Sequence, residues 1–305
     1  MESFVSIIMA TYNREHLIAE TLDSIIAQRY EQWECIIIDD GSTDNVASVV
    51  GDYIDKDKRF SYQKRAEKYQ KGLPGCRNQG LDLAKGDFIV FFDDDDIVHP
   101  DNLFCCVQAL KNQKYDFCRY ERDVFFGDFD VTFDRGLNYG SFEITEKDLY
   151  KVLRGKIPFN SCAVVWKSSC IGDYRFREDL MYAEEWELYN RMISDGITGI
   201  SIDKVLFYGR KHSKSNTGEF SQGDSIRVAS KAAAAMYLIS HFDTLKILDK
   251  EIGMYMFSIM HLTKNKDVGR CVLKAKNINF KDRLYLNLRY YLLPATIALG
   301  RVLRK

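Results

Sequence analysis

The chain has no hydrophobic run long enough to cross a membrane. Its apolar amino-terminal segment, Phe4 to Ala10, is far shorter than the ~20 residues of a spanning helix, and no basic residues precede it as they would in a signal peptide. A second apolar segment, Tyr290 to Leu299, is also too short and contains Pro294. We therefore expect neither a signal peptide nor a transmembrane helix, and we expect the protein to be cytoplasmic.

The chain also lacks a charge excess, since 43 lysines and arginines stand against 44 acidic residues. This near neutrality gives it no general affinity for nucleic acid. None of the eight cysteines forms a CxxC pair or has the spacing of a zinc site. Most of them lie in apolar stretches, so we expect reduced cysteines in the protein core.

Common phosphate-binding motifs are missing as well. There is no GxGxxG segment, and Gly75 and Gly80 are followed by Leu81-Asp82 where a P-loop has Lys-Ser/Thr. The chain also has no QxxRW motif and no glycine-rich amino-terminal loop with a basic residue. These absences disfavour a Rossmann dehydrogenase, a P-loop NTPase, a processive polysaccharide synthase and a sugar nucleotidylyltransferase.

The first third of the chain does contain a regular alternation of strand and helix patterns. Short runs rich in β-branched and aromatic residues predict the strands, which lie near residues 5–10, 33–38, 60–63 and 88–92. Asn13 is expected to cap the first helix, and Ser42 or Thr43 the second. Such alternation is typical of an α/β fold with a mostly parallel sheet covered by helices.

Four consecutive aspartates, residues 93–96, end the fourth predicted strand. Adjacent carboxylates at the end of a core strand repel one another and lose hydration. A hard divalent cation, Mn²⁺ or Mg²⁺, would relieve both problems, because these ions prefer oxygen ligands and often share them with phosphates. The alternative is a helix start with Asp96 as cap and Pro100 and Asp101 in the first turn. That alternative explains one or two acids but not four.

Polar clusters follow three of the predicted strands, and in a parallel sheet such strand ends share one edge, where ligands bind. Tyr12 offers a flat face for a base, and Asp40 an acceptor for a base or ribose. Arg77 suits a phosphate oxygen, and the aspartates would hold a cation on a diphosphate. The sequence therefore predicts a site for a nucleotide diphosphate at this edge.

Four segments together resemble the family 2 glycosyltransferases, which have the GT-A fold. Their order and spacing agree with the family over roughly the first third of the chain. The family's TYN, DDGSTD, ARNxGL and DxD motifs correspond to Thr11-Tyr12-Asn13, Asp39 to Asp44, Cys76 to Leu81 and Asp93-Asp94-Asp95. The resemblance implies that Tyr12 stacks on the base and Asp40 reads it. It also implies that Asp94 approaches the donor sugar or ribose and that Asp95 is the direct metal ligand.

The second half of the chain carries two weaker matches. Glu184-Glu185-Trp186 resembles the family's EDW, in which the acid before the aromatic is the catalytic base, here Glu185, with Glu184 as its rival. The alternative is that Glu184, Glu185 and Glu187 form the solvated face of a helix. His212 lies in a segment similar to the family's YRxHxxSxS, where His212 is a candidate to contact the diphosphate or the metal and Arg210 or Lys211 to neutralise the leaving group.

The resemblance implies a metal-dependent, inverting and non-processive enzyme that transfers a sugar from a nucleotide donor, with uridine the usual base. The expected acceptor is a saccharide or a lipid-linked saccharide used in cell-surface polysaccharide synthesis. The alternatives are a phosphatase of haloacid dehalogenase type, from the Asp93-x-Asp95 pattern, and a non-catalytic nucleotide-sugar-binding protein. The expected nucleotide-sugar-binding residues are Thr11, Tyr12, Asn13, Arg14, Asp40, Arg77, Asp93, Asp94 and His212.

We expect two domains, a GT-A domain at residues 1–220 and a helical region at residues 221–305. Within the first, residues 1–122 would bind the donor and residues 123–220 the acceptor. The last segment, residues 281–305, has six basic residues and one acid around its apolar part. It predicts either an interfacial helix on an anionic membrane or a terminal helix that packs on the protein.

Overall fold

The computed structural model describes residues 3–111, 113–211 and 216–302, with the backbone alone for residues 216 and 292–302. The chain divides into two compact units, Met1–Gly218 and Glu219–Lys305.

The first unit is built around one mixed sheet with helices packed on it. Its strands are β1 Val5–Thr11, β2 Trp33–Asp39, β3 Phe60–Lys64, β4 Phe88–Asp93, β5 Ile97–Val98, β6 Phe117–Phe125, β7 Ser141–Ile144, β8 Val164–Lys167 and β9 Gly199–Arg210. Its helices are α1 Ile18–Ile26, α2 Val46–Lys56, α3 Leu73–Leu83, α4 Asn102–Leu110, α5 Leu149–Leu153, α6 Ser168–Ile171 and α7 Glu184–Ser194. Helix α8, Asn216–Ser221, lies where the two units meet in sequence.

The strand order is β3-β2-β1-β4-β8-β6-β9-β5, with β7 paired to β9. Strands β3, β2, β1 and β4 are parallel, as the alternating pattern predicts. Their register places Thr11 opposite Asp39 and Ala10 opposite Asp93, so three strands end at one edge. From β4 onward the sheet is mixed, because β8 pairs antiparallel with both β4 and β6.

Two expected helix caps are wrong. Helix α1 begins at Ile18, and Asn13 lies before it with a positive φ of 53°. Helix α2 begins at Val46 with Asn45 at its cap position, so Ser42 and Thr43 belong to the preceding loop. Asn, Ser and Thr side chains can also form hydrogen bonds with the backbone of loops. Asn13, Ser42 and Thr43 lie in such loops and do not cap a helix.

Helix α3 packs very closely on β1. A Cβ atom at Gly80 would lie 2.3 Å from Cγ2 of Ile8, so the absent side chain sets the spacing between helix and strand. The buried face of α3 also carries the Arg77 side chain, which is almost completely enclosed. The close helix–strand contact therefore helps to position a buried charged group that pairs with Asp93 at the end of β4.

The second unit is helical and consists mainly of four helices: α9 Ser225–Thr244, α10 Lys250–Thr263, α11 Lys266–Lys274 and α12 Phe280–Val302. Its core contains buried side chains from α9, α10 and α11, such as Leu238, Met256 and Val272. Over the part of the chain that the structure describes, every helix is too short or too polar to serve as a membrane span.

Candidate active site

The loop after β2 is shaped by the buried carboxylate of Asp39. Its Oδ1 accepts a hydrogen bond from the backbone N–H of Ser42 at 2.9 Å, and its Oδ2 accepts one from the Tyr62 hydroxyl at 2.6 Å. Burial acts to raise the pKa of Asp39, but the hydrogen bonds from Ser42, Tyr62 and Gly41 lower it overall. Asp39 is therefore an anion that fixes the loop in which Asp40 lies.

Asn13 joins the loops that follow β1 and β2. Its backbone N–H donates to Ser42 Oγ at 2.9 Å, and its side-chain Oδ1 accepts from the N–H of Thr43 at 2.8 Å. The left-handed backbone of Asn13 suits asparagine better than most residues. The adjacent Tyr12 ring stays 46% exposed, with the Lys71 ammonium 5.0 Å from its centre, while Thr11 is buried.

Asp40 is held in place by an ion pair. Its Oδ1 lies 2.6 Å from Arg65 Nε and accepts the N–H of Gly72 at 3.2 Å, just before α3. The Asp40 backbone N–H also donates to the Thr11 carbonyl at 2.9 Å. The predicted base-reading residues, Tyr12 and Asp40, are thus on two loops that bond directly to each other.

The four aspartates after β4 differ in their surroundings. Asp94 and Asp96 are buried, whereas the Asp93 side chain is partly exposed. Arg14 approaches two of them, with Nε 3.5 Å from Asp94 Oδ1 and Nη2 3.4 Å from Asp95 Oδ2. Arg14 therefore belongs to this acidic cluster, and its expected contact with the nucleotide sugar stays a prediction.

Ionisation of the buried carboxyl groups in this cluster is unfavourable, because they lose hydration and neighbouring acids repel them. Burial, followed by repulsion from Asp95, raises the pKa of Asp94 to about 7. Burial and the charges of Asp93 and Asp95 also raise the pKa of Asp96 well above its usual range. In addition, Asp94 Oδ2 is buried and accepts no hydrogen bond from any residue that the structure describes. An added positive charge would stabilise this arrangement.

The residues present fit a hard divalent cation. Ligand atoms of Asp93, Asp96 and Cys162 lie within 4.8 Å of one another. Burial raises the pKa of the Cys162 thiol far above its usual range, so it stays neutral and is a poor partner for Mn²⁺ or Mg²⁺. The useful donors of this stretch are therefore carboxylate oxygens, among which Asp95 remains the predicted ligand.

Arg77 connects the aspartate cluster to the two glutamates of the second half. Its guanidinium, 2% exposed, has Nη2 3.0 Å from Asp93 Oδ1 and donates to Ser161 Oγ at 2.9 Å. Its Nη1 lies 3.3 Å from Glu184 Oε1 and 3.4 Å from Glu185 Oε2. The structure shows Arg77 as the shared partner of three acidic side chains, and its expected contact with a phosphate oxygen stays a prediction.

Glu184 and Glu185 occupy the first turn of α7, which follows Ala183 in a left-handed conformation with φ 65°. Burial, then the charge of Glu185, raises the pKa of Glu184 to about 8, while Arg77 acts to lower it. The Glu185 side chain is 28% exposed. Two neighbouring acids in such different surroundings suit different roles.

The alternative of a solvated glutamate face is wrong. Glu184 and Glu187 are both buried. Glu187 pairs with Arg191 at 2.9 Å and with Arg177 at 3.2 Å, so it serves to hold the helix. Trp186 donates its indole N–H to the Leu153 carbonyl at 2.9 Å, which ties the start of α7 to α5.

Arg210, at the end of β9, holds the aspartate loop from the other side. Its backbone N–H donates to Asp96 Oδ1 at 2.7 Å and its Nε to the Asp95 carbonyl at 3.0 Å. It also donates to the Gly127 carbonyl and pairs with Glu20. These contacts occupy the guanidinium that was expected to be a candidate for the leaving group. His212 lies outside the described residues.

Sequence reasoning missed several residues around the site, among them Ser161, Arg122 and Arg65, which holds Asp40. Ser161 bonds to Arg77 from a stretch in which no sequence signal stands out. Gly209 leaves room for Arg122, whose Nη2 would lie 2.1 Å from an added Cβ. A glycine inside a strand indicates close approach of another group, so Gly209 was the available signal.

The position of the aspartates also bears on the phosphatase alternative. A haloacid dehalogenase places its aspartate signature after the first strand of the sheet. Here the acids follow the fourth strand, β4, in a sheet where β1 ends in Thr11. The fold therefore argues against the phosphatase.

Comparison with known proteins agrees with this geometry. The model of the family described as Glycosyl transferase family 2 matches residues 6–169. A Campylobacter jejuni relative, GalNAc(5)-diNAcBac-PP-undecaprenol beta-1,3-glucosyltransferase, is 30% identical over 82% of this chain and 75% of its own. An Escherichia coli relative, UDP-Glc:alpha-D-GlcNAc-diphosphoundecaprenol beta-1,3-glucosyltransferase WfgD, is 27% identical over 63% of this chain and 70% of its own.

Solved structures show the same fold at low sequence identity. TarS 1-349 from S. aureus in complex with UDP-GlcNAc matches with a TM-score of 0.57 and 20% identity, over 88% of this chain and 84% of that one. The mannosyltransferase PcManGT from Pyrobaculum calidifontis, in complex with GDP-Man and Mn2+, matches with a TM-score of 0.56 and 18% identity, over 99% and 81%.

Proposed function

The chain belongs to glycosyl transferase family 2, and we propose that it transfers a hexose from a UDP-sugar to a saccharide carried on a polyprenyl diphosphate. It is a glycosyltransferase of the GT-A fold. The names of two relatives support the finer proposal, because both act on undecaprenol-linked saccharides and form β-1,3-glucosidic linkages. The first donor to test is therefore UDP-glucose, and the proposed place of action is the cytoplasmic face of a membrane.

The observation that carries the proposal is the Arg77 bridge. Nη2 of Arg77 contacts Asp93, which lies at the end of β4. Nη1 of the same guanidinium contacts Glu184 and Glu185. A donor bound at the aspartates would therefore lie close to the base that activates the acceptor. Proximity of this kind is a large part of the catalysis of group transfer.

For the donor, we propose that Tyr12 stacks on the base and Asp40 accepts hydrogen bonds from it. Tyr12 supports this by its exposed ring, and Asp40 by the fixed orientation that Arg65 and Gly72 give it. Asp94 would approach the ribose or donor sugar. Asp95, with its neighbouring carboxylates, would hold Mn²⁺ or Mg²⁺, which when bound supplies positive charge for the departing diphosphate.

For the acceptor, we propose that Glu185 takes the proton of the attacking hydroxyl. Burial raises the pKa of Glu184, so it holds its proton more tightly than an ordinary glutamate and is enclosed away from an acceptor. The partly exposed Glu185 can reach a bound acceptor while Arg77 holds its orientation. The hydroxyl oxygen then bonds to the anomeric carbon on the face opposite the departing diphosphate, so the configuration inverts, as in inverting glycosidases.

The test is a panel of nucleotide sugars with an undecaprenyl-diphosphate-linked saccharide as acceptor. We expect transfer from UDP-glucose that stops in EDTA and returns with Mn²⁺, and a β-linked product by NMR. Retention of the α configuration would contradict the proposed displacement. Release of phosphate from a simple ester without an acceptor, together with no transfer from any donor, would contradict the proposed function as a whole.

A further inference from the structure

The carboxy-terminal helix α12 has one face that packs inside the second unit. Leu286 is fully buried, and a Cβ atom added to Gly253 of α10 would lie 2.7 Å from its Cδ1. The Tyr290 ring packs 5.7 Å from that of Phe257. Arg283 donates to the carbonyl of Ala275 at 2.7 Å. These contacts fix the helix on its unit and determine which face remains outside.

The outer face of α12 carries a continuous line of exposed apolar side chains. Phe280, Leu284, Leu288 and Tyr291 are 78%, 53%, 53% and 71% exposed. Their spacing of four, four and three residues places all of them on one side of the helix. Single exposed apolar residues are normal, but an aligned set on a solvent-exposed surface indicates an interaction site.

The charges beside this line are positive. Lys281 and Arg289 are exposed and follow Phe280 and Leu288 in sequence, so each lies about 100° around the helix from its apolar neighbour, to the same side. The one acid of the segment, Asp282, is engaged at the start of the helix. Its carboxylate accepts from the N–H of Lys250 at 3.2 Å and from the Asn279 side chain at 2.9 Å. The exposed surface of α12 therefore has an apolar line with basic side chains on one flank of it.

We propose that this outer face of α12 binds the surface of an anionic phospholipid bilayer, with the helix lying in the plane of the interface. Basic residues are attracted to anionic headgroups, and aromatic and leucine side chains enter the acyl boundary. A second copy of the chain fits less well, since pairing two such faces brings like charges together. The choice of lipid rests in part on the proposed lipid-linked acceptor.

The experiment is sedimentation of the full chain with vesicles of phosphatidylcholine alone or mixed with phosphatidylglycerol. We expect binding to the mixed vesicles that weakens with added salt. Leu288→Glu should lower this binding by about tenfold. Replacing Lys281 and Arg289 by Gln should lower it by about fivefold for each charge.

The matched control is Ile226→Glu, because Ile226 of α9 is 58% exposed, close to the value for Leu288. We expect this control to bind vesicles as the wild type does. Equal binding by Leu288→Glu and wild type, or no binding of wild type to the mixed vesicles, would overturn the proposal. A wild-type dimer that becomes a monomer in Leu288→Glu would assign the face to a second copy instead.

A separate readout keeps this proposal distinct from the proposed function. The affinity for UDP, measured by calorimetry in the absence of vesicles, should be unchanged in Leu288→Glu. Loss of vesicle binding with intact UDP binding supports the membrane face alone. Intact vesicle binding in a protein that binds no UDP would leave the membrane face standing and remove the proposed donor site.

Discussion

At the scale of single residues, one buried arginine is shared by three acidic side chains. Arg77 lies within 3.4 Å of Asp93, Glu184 and Glu185 and makes a further hydrogen bond to Ser161. A buried charge is tolerated only when partners compensate for its lost hydration. Arg77 serves that purpose for both halves of the site, which makes its planar, two-sided guanidinium hard to replace.

We predict that Arg77→Lys lowers the transfer rate by about 10²-fold or more, because one ammonium cannot hold Asp93 and the glutamates apart at their present spacing. The measurement is the steady-state rate of sugar transfer, together with the melting temperature. Arg119→Lys is the matched control. Arg119 is also 2% exposed and bonds to Glu121 and Ser201, away from the site carboxylates.

Similar losses of stability in both variants, with activity lost only in Arg77→Lys, would agree with the positioning role. Wild-type rates in Arg77→Lys would contradict it.

The protonation of Glu184 gives a second prediction, for stability against pH. Burial and the charge of Glu185 raise its pKa from 4.5 to about 8 in the folded protein, despite the opposing effect of Arg77. The folded state therefore binds this proton more tightly than the unfolded chain does. The resulting stabilisation is present below pH ~4.5 and is lost as the pH rises through about 8.

Glu184→Gln keeps a neutral side chain at every pH and should not show this loss. We expect its melting temperature, relative to wild type, to rise as the pH increases from about 5 to about 9. Thermal unfolding of the two proteins across this range is the measurement. Asp94, whose pKa is also raised, titrates in both proteins, so the difference between them isolates Glu184. A difference that stays constant with pH would refute the prediction.

The sequence named candidate site residues but did not predict their contacts with one another. Motifs located Tyr12, Asp40, Asp95 and the glutamate pair, and the roles of these residues remain predictions. Arg77 was assigned to a phosphate because a cation beside a diphosphate is chemically reasonable. Two of the partners that the structure shows for it, Glu184 and Glu185, lie 107 and 108 residues away in the chain. Such pairings depend on tertiary packing, which local patterns do not report.

At the scale of secondary structure, the contact between α3 and β1 positions this arginine. Gly80 lies three residues after Arg77 on the same helix, and its missing side chain allows the helix to approach Ile8 of β1. This close approach places α3 where the Arg77 side chain contacts Asp93, Glu184 and Glu185. A residue that touches no substrate should accordingly matter for the site.

We predict that Gly80→Ala destabilises the protein by about 1–3 kcal/mol through overpacking against Ile8, and that it lowers the transfer rate. The control is Gly51→Ala in α2, where an added Cβ would meet no atom within 4 Å. That variant should be neutral or stabilised by up to about 1 kcal/mol. Chemical denaturation measures the stability of both variants, and a sugar-transfer assay measures their rates. Equal stability of the two variants would show that α3 can move away from the strand at no cost.

The elements themselves illustrate what sequence patterns report. Strands β1, β2 and β4 were predicted within a residue, because their apolar runs are buried on both faces of a parallel sheet. The edge strand β3 was also located, although Phe60 is its one buried residue. The loop after β1 was misread, because Asn13 bonds to the neighbouring loop in place of capping α1. The antiparallel insertion of β8 between β4 and β6 had no local signal, since it joins segments distant in sequence.

At the scale of the whole molecule, the family assignment and the parallel half of the sheet both indicate a glycosyltransferase of the GT-A fold. The first unit carries the aspartates, the glutamate pair and the arginine between them, and the second unit carries the proposed membrane face. The motifs of the first third sufficed to predict the GT-A fold. The sequence did not identify the acceptor, because residues 123–159 carry no recognised motif.

The central claim is that the carboxylates after β4 bind a metal-bound nucleotide diphosphate and that Glu185 is the base beside them. Its most direct test is calorimetric titration of UDP with Mn²⁺ into wild type, Asp95→Asn and Glu185→Gln, combined with their transfer rates. We predict that Asp95→Asn loses both UDP binding and transfer. Glu185→Gln should keep its UDP affinity and transfer about 10² to 10⁴ times more slowly. Wild-type turnover in Glu185→Gln, or undiminished UDP affinity in Asp95→Asn, would contradict the claim.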